Sequence, residues 1–159
     1  MKNILVTGGA GFIGSHTCVQ LLARGYDVYV IDSFANSSPK SLEKVLEINQ
    51  LKKTNFQNKI NIFKGDLLDK DFLNNVFLDL AKTNKKIDGV IHFAGLKSVS
   101  ESVSDPLKYW QGNLIGSINL LEILDKFDCN TFVFSSSATV YAHSEDALLS
   151  ENSLIRPIN

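Results

Sequence analysis

The chain has 159 residues, 44% of them hydrophobic and 21% charged, with a formal net charge of -1. That is enough for one domain with its own core. The near-neutral balance gives no case for a nucleic-acid or anionic-membrane surface, and no apolar run approaches the roughly 20 residues of a membrane span.

Ile4, Leu5 and Val6 form a short apolar run, as expected of a parallel strand buried on both faces. The run stops at Thr7 and a glycine-rich stretch begins. Gly8 and Gly9 are expected to turn the chain tightly with φ > 0. Gly11 would let backbone approach a bound pyrophosphate, and Gly14 would let the following helix lie close to the strand. That helix is expected from Phe12 to about Arg24, its free N–H groups and positive dipole end facing the phosphates. Gly14, Cys18, Leu21 and Leu22 share one face, and Gly25 is a natural stop. Cys18 and Cys129 lie far apart in sequence. Core packing is the plain role for Cys18. These two cysteines fit a reducing cytoplasm, and the N-terminus runs into a strand with no signal-peptide pattern.

Asp27 to Ile31 reads as the second strand, and Asp32 to Ser38 as a polar loop at its carboxyl end. Asp32 can accept two hydrogen bonds from a ribose diol and would repel a 2′-phosphate. Ser33, Phe34 and Ala35 offer no arginine to neutralise such a phosphate, which favours NAD over NADP. Ser38-Pro39 reads as a cap and first helical position, opening a helix to about Lys53 with Leu42, Val45 and Leu46 inward. Thr54 to Lys59 is a polar connector and Ile60 to Lys64 a third strand. Asp66 could meet an adenine edge, with Leu67 packing on the ring. Asp69 starts a helix with an apolar stripe of Phe72, Leu73, Val76, Phe77 and Leu80.

Asp88 to Phe93 is the fourth expected strand. Phe93, Ala94 and Gly95 put small residues where a cofactor would approach backbone. Asp105-Pro106 repeats the cap-then-proline signature before a long helix to about Phe127. Leu107, Trp110, Leu114, Ile118 and Leu121 share one side of it, and Gly112 and Gly116 inside it weaken its regularity. Thr131 to Ser135 is the fifth strand. Ser135, Ser136 and Ser137 could be a plain polar strand end, or could offer a hydroxyl that bonds a substrate hydroxyl and helps carry its proton. From Ala142 the chain reads as loop. His16, His92 and His143 show no metal-ligand spacing, so no metal is expected.

Strand and helix alternate throughout, the pattern of an α/β, doubly wound parallel sheet of the Rossmann type. Right-handed crossovers give the order 3-2-1-4-5. Ligands of such sheets sit at the carboxyl ends of the strands, and every candidate segment falls there: Gly8 to Gly14, Asp32 to Ser37, Gly65 to Leu67, Phe93 to Lys97, and Ser135 to Tyr141.

Four stretches carry a resemblance: Thr7 to Thr17, Val90 to Lys97, Glu101 to Val103, and Phe134 to Tyr141. On these, over nearly its whole length, the chain resembles the extended short-chain dehydrogenase/reductase family in its UDP-glucose 4-epimerase branch. Related dehydratases typically carry an acidic residue where this chain has Ala138. The resemblance implies an NAD site lined by Gly8, Gly11, Phe12, Ile13, Gly14, Asp32, Ser33, Phe34, Ala35, Asn36, Ser37, Asp66, Leu67, Phe93, Ala94, Gly95, Leu96, Lys97, Asn113 and Ser135. Ser137 would be the catalytic hydroxyl, with Lys97, Ser137 and Thr139 at the sugar. It also implies UDP-galactose and UDP-glucose as substrates, interconverted by transient hydride transfer at C4, and it allows a homodimer of the full-length protein.

The family's base is a tyrosine four residues before a lysine. Here Tyr26, Tyr29, Tyr109 and Tyr141 are followed at that spacing by Val30, Ser33, Asn113 and Glu145. The expectation is therefore an incomplete NAD-binding domain over residues 1–159. It would stop short of the base, the later strands and the substrate domain, and be inactive alone. Smaller departures are Gly112, where the family often has Asn, and Ala142, where it has Gly. Two alternatives stay open: an epimerase for another nucleotide sugar, a uronate or a pentose, and a non-catalytic dinucleotide-binding module.

Overall fold

A computed structural model describes residues 2–51, 60–141 and 148–157. The elements run β1 (Asn3–Thr7), α1 (Phe12–Ala23), β2 (Asp27–Asp32), α2 (Pro39–Leu51), β3 (Ile60–Lys64), α3 (Lys70–Lys82), β4 (Gly89–His92), α4 (Val99–Ser104), α5 (Pro106–Tyr109), α6 (Gly116–Lys126) and β5 (Phe132–Phe134). The expected connector over residues 54–59 and the first loop residues after Tyr141 lie outside the described residues. The five strands pair in parallel in the order β3-β2-β1-β4-β5, the order that right-handed crossovers predict.

Side chains alternate across the sheet, and the alternation divides the core in two. Leu5, Tyr29, Ile31 and Val90 pack against Leu73, Phe77, Leu120 and Ile123 of α3 and α6. On the other face Val6, Val28 and Val30 meet Cys18, Leu22, Leu42 and Val45 of α1 and α2. Each fully buried leucine or valine contributes about 1.5–3 kcal/mol relative to exposure, so helices on both sides are needed to cover one sheet. Among the described residues no helix is long and apolar enough to cross a membrane.

The expected long helix is interrupted. A π-helical turn, Trp110–Ile115, separates α5 from α6, and it contains Gly112, one of the two residues that weaken helical regularity in the sequence. The side bearing Leu107, Trp110, Leu114, Ile118 and Leu121 faces outward, with Leu107 71% and Trp110 63% exposed. The buried side carries Gly116, Leu120, Ile123 and Leu124 instead. A broad apolar stripe around this helix could not by itself say which side meets the sheet.

Helix α4 is absent from the sequence reading above. Its signal was Ser98-x-x-Glu101, a capping-box spacing. The Ser98 hydroxyl accepts from Glu101 N. The Glu101 carboxylate accepts from Lys108 Nζ at 2.5 Å and from Tyr109 OH at 2.7 Å, and both hold it below the usual carboxylate range. The segment after Tyr141 is also more than loop. Tyr141 bridges Ile155 antiparallel, and Arg156 N donates to Val140 O at 2.8 Å.

Candidate functional site

Gly8 opens the turn after β1 with φ +65, and a Cβ there would come within 2.7 Å of Ala94 N. Only glycine meets both conditions. Gly9 departs from the expected role, since positive φ among the glycines falls at Gly8 and Gly25. What Gly9 supplies is space: a Cβ would press on Val30 Cγ1 at 2.8 Å. A Cβ on Gly14 would fall on the Gly8 carbonyl oxygen and lie 2.8 Å from Gly9 Cα, so α1 abuts the turn directly. Gly11 has more room, its nearest neighbour being Gly8 O at 3.3 Å. Gly11 is the N-cap of α1 and no side chain caps the helix. Phe12 and Ile13, the first helical residues, are 78% and 59% exposed. The first-turn N–H groups and the positive end of the helix dipole thus stand beside solvent, an arrangement suited to an anionic group.

Asp32, 7% exposed, closes the far side of the turn. Its Oδ2 accepts from Ala10 N at 2.9 Å, and its Oδ1 accepts from Phe34 N at 2.9 Å and Ser37 Oγ at 2.8 Å. A carboxylate has about four acceptor positions, so capacity for about one more donor remains. The carboxylate also holds the 33–37 loop, including Phe34 at φ 57, a strained setting for a bulky residue. Below α1, burial pushes the Cys18 thiol up to about 12. It stays protonated, 4.0 Å from Gly9 O, in keeping with a packing role.

The strand ends are stitched together in a row. Gly65 N donates to Asp32 O, Gly8 N to Ile31 O, Phe93 N to Thr7 O, and Ser135 N to His92 O. Asp66 lies exposed just after β3, where its Oδ1 accepts from Leu68 N. Leu67 is 8% exposed and packs in the core beside Gly116. Asn113, in the π turn, holds the 93–97 segment. Its Oδ1 accepts from Leu96 N at 2.7 Å and its Nδ2 donates to Leu96 O at 2.9 Å. Lys97 is exposed beyond this clamp.

At the end of β5, Ser137 Oγ accepts from Thr139 N at 3.2 Å and lies 2.7 Å from Thr139 Oγ1. It caps the single helical turn Ala138–Val140, another element the sequence reading did not place. Ser135, Ser137 and Thr139 are all exposed. Two concave clefts, of about 400 and 420 Å³, lie elsewhere. One is on the α3–α6 surface around Lys70 and Glu122; the other is near Lys86 and Ile87, before β4. Among the described residues the candidate site is an open shelf of strand ends, with Phe12, Lys97, Ser135 and Ser137 exposed. Among the described residues no group of His, Cys, Asp and Glu could hold a metal.

His92 is 2% exposed at the end of β4, its Nδ1 2.6 Å from Thr7 Oγ1 and its Nε2 3.0 Å from Ser117 Oγ. Burial lowers its pKa from the ordinary 6.5. The unfolded chain therefore takes up a proton near that value before the folded chain does. The neutral ring contributes stability above pH 6.5 that is lost as pH falls toward the folded value, at no more than about 1.4 kcal/mol per pH unit. Thermal melts of the wild type should fall as the pH drops below about 6.5. The same melts of His92→Gln should show a flatter pH dependence; an unchanged slope would remove His92 as the cause.

The parallel sheet, the glycine turn abutting an uncapped helix, and a buried carboxylate at the end of β2 together define a doubly wound α/β domain of the Rossmann type. The sequence profile of the GDP-mannose 4,6 dehydratase family matches residues 5–159, and the chain belongs to that family. It is 46% identical over 158 residues to a bifunctional UDP-glucose 4-epimerase and UDP-xylose 4-epimerase of Pisum sativum, covering 99% of this chain and 43% of that protein. To the UDP-glucose 4-epimerase of Bacillus subtilis it is 46% identical over 149 residues, covering 94% of this chain and 40% of the relative. The crystal structure of UDP-glucose 4-epimerase from Bifidobacterium longum in complex with NAD+ and UDP superposes with a TM-score of 0.85 at 39% identity, covering 98% of this chain and 43% of that one. The chain thus spans less than half the length of these relatives.

Proposed function

We propose that the chain is the NAD-binding part of a UDP-glucose 4-epimerase, acting in the cytoplasm on UDP-galactose and UDP-glucose. The observation that carries this reading is the continuous row of strand ends, running from Asp32 through the uncapped start of α1 to the Asn113 clamp on Leu96. The first-turn N–H groups at Phe12, Ile13 and Gly14 would take the diphosphate, Asp32 a ribose hydroxyl, and Asp66 the adenine edge. The residues fit such a group: the helix start has no side-chain cap, and Asp32 keeps acceptor capacity.

Bound NAD supplies a hydride acceptor and donor at its nicotinamide ring. This chain's residues would orient the sugar and handle hydroxyls. Ser137, exposed at the end of β5, would bond the sugar's 4-hydroxyl, with Thr139 beside it and Lys97 facing from the β4 side. Inversion at C4 also needs a general base, and no tyrosine here precedes a lysine at the family's spacing. On this reading residues 1–159 are the dinucleotide half of a larger enzyme and do not turn over alone. A homodimer of the full-length protein through the outward apolar side of α5 and α6 belongs to the same reading.

Titration of the 159-residue chain with NAD+ and NADP+, followed by Trp110 fluorescence, should show saturable binding that favours NAD+. A parallel assay with UDP-galactose should show no epimerisation. Absence of NAD+ binding would overturn the dinucleotide reading, and robust turnover would overturn the assignment of the base outside the chain. A second reading, an epimerase for pentose nucleotide sugars, is favoured by the UDP-xylose activity in the pea relative's name. Turnover of the full-length enzyme on a panel of nucleotide sugars separates the two.

A further inference from the structure

The protons around His92 can be placed by counting donors. Ser117 Oγ lies 2.5 Å from Asn113 O. A carbonyl only accepts, so the Ser117 hydroxyl proton is committed there. Toward His92 Nε2, at 3.0 Å, Ser117 can then only accept, and Nε2 must carry the ring hydrogen. Nδ1 is left with its lone pair, and Thr7 Oγ1 donates to it across 2.6 Å. Thr7 Oγ1 in turn accepts from Ala94 N at 3.3 Å. Phe132 and Phe134 lie against the ring, at centroid distances of 5.7 and 5.5 Å.

This relay crosses three elements in one direction. It starts at Thr7, one residue before the glycine turn, passes through β4, and ends at the first turn of α6. Its last bond, from Ser117 back to Asn113 O, is the i−4 pattern that bends helices, and it spans the end of the π turn. Isolated π turns are frequently found at functional sites. Here the turn carries Asn113, whose side-chain amide grips both polar atoms of the Leu96 backbone.

We propose that His92 is a positioning residue for the cofactor shelf: with its hydrogen on Nε2, it fixes the spacing between the Thr7–Gly8 turn and the Asn113–Ser117 turn, and so the place at which Asn113 holds the Leu96 backbone. The proposal rests on the dinucleotide reading above. Neither His92 nor Ser117 needs to touch the dinucleotide. They set the fraction of molecules whose 94–97 segment is in place, and apparent affinity falls in proportion to that fraction.

The test uses the 159-residue chain with three variants and NAD+ as the probe. Ser117→Ala removes the acceptor of the ring hydrogen, Ser117→Thr keeps a hydroxyl, and Ile123→Val perturbs the core face of the same helix without touching the relay. Ser117→Ala should weaken NAD+ binding about tenfold. Ser117→Thr should restore it to within about twofold, and Ile123→Val should lower the melting temperature while leaving affinity unchanged. Nitrogen NMR of the wild-type imidazole should show the Nε2–H tautomer. Wild-type affinity in Ser117→Ala, an equal loss in Ile123→Val, or an Nδ1–H tautomer would overturn the proposal while leaving NAD+ binding by the wild type intact. A wild type that does not bind NAD+ overturns both this proposal and the reading beneath it.

Discussion

Gly14→Val should cost the chain about 3 kcal/mol or more of stability and abolish measurable NAD+ binding. The new Cβ would fall on the Gly8 carbonyl oxygen and within 2.8 Å of Gly9 Cα. Both are backbone atoms of the turn and cannot swing aside, so α1 must retreat. Overpacking of this kind costs typically about 1–3 kcal/mol and more where backbone has to move. The retreat carries the first-turn N–H groups away from the turn, so the anion seat is lost together with the packing. Gly11→Ala is the matched comparison. Its Cβ meets only Gly8 O, at 3.3 Å, and it should stay within about 1 kcal/mol of the wild type in denaturant melts. If Gly14→Val melted like Gly11→Ala, close contact between α1 and the turn would not be what requires glycine at position 14.

The second large effect is expected at Asp32. Asp32→Ala removes the acceptor for Ala10 N, Phe34 N and Ser37 Oγ at once. At least two backbone N–H groups then lose their partner in a site only 7% exposed around the carboxylate, at about 1–3 kcal/mol each. The total, about 2–6 kcal/mol, is large against the 5–15 kcal/mol typical of a domain. Phe34 should relax from its left-handed backbone once its N–H is released. Asp32→Asn separates charge from shape, because it keeps one oxygen and removes the charge. It should melt closer to the wild type while losing discrimination against a 2′-phosphate, so that NAD+ and NADP+ affinities converge to within a few-fold. Denaturant melts with paired NAD+ and NADP+ titrations check both variants. An Asp32→Asn protein that still rejected NADP+ as the wild type does would mean that discrimination lies elsewhere.

Much of the fold was legible because hydrophobic alternation and strand-end punctuation agree. Leu5 and Val6 point to opposite faces, as do Val30 and Ile31, and both halves of the core follow from that. Asp69 and Asp105 cap where their spacing says they should. Along the site, Gly8, Asp32 and the 93–97 segment all fall on one row. The less legible parts are tertiary. Which side of α5 and α6 meets the sheet depends on Gly116 letting Leu67 approach, a contact 49 positions away in sequence that no local pattern encodes. The burial of Leu67 rests on the same contact. Ser117 carried no signal either, since a lone serine in a helix acquires meaning only once His92 is seen beneath it.

The open shelf has a kinetic consequence. Among the described residues these strand ends are exposed, so a guest held there at one face by backbone amides and a single carboxylate meets no gate in them. Its arrival is set by diffusion and orientation, and its residence time by how few bonds must break at once. On the proposed reading, a dinucleotide seated on this shelf should exchange rapidly, with a residence time set by the few bonds it makes there.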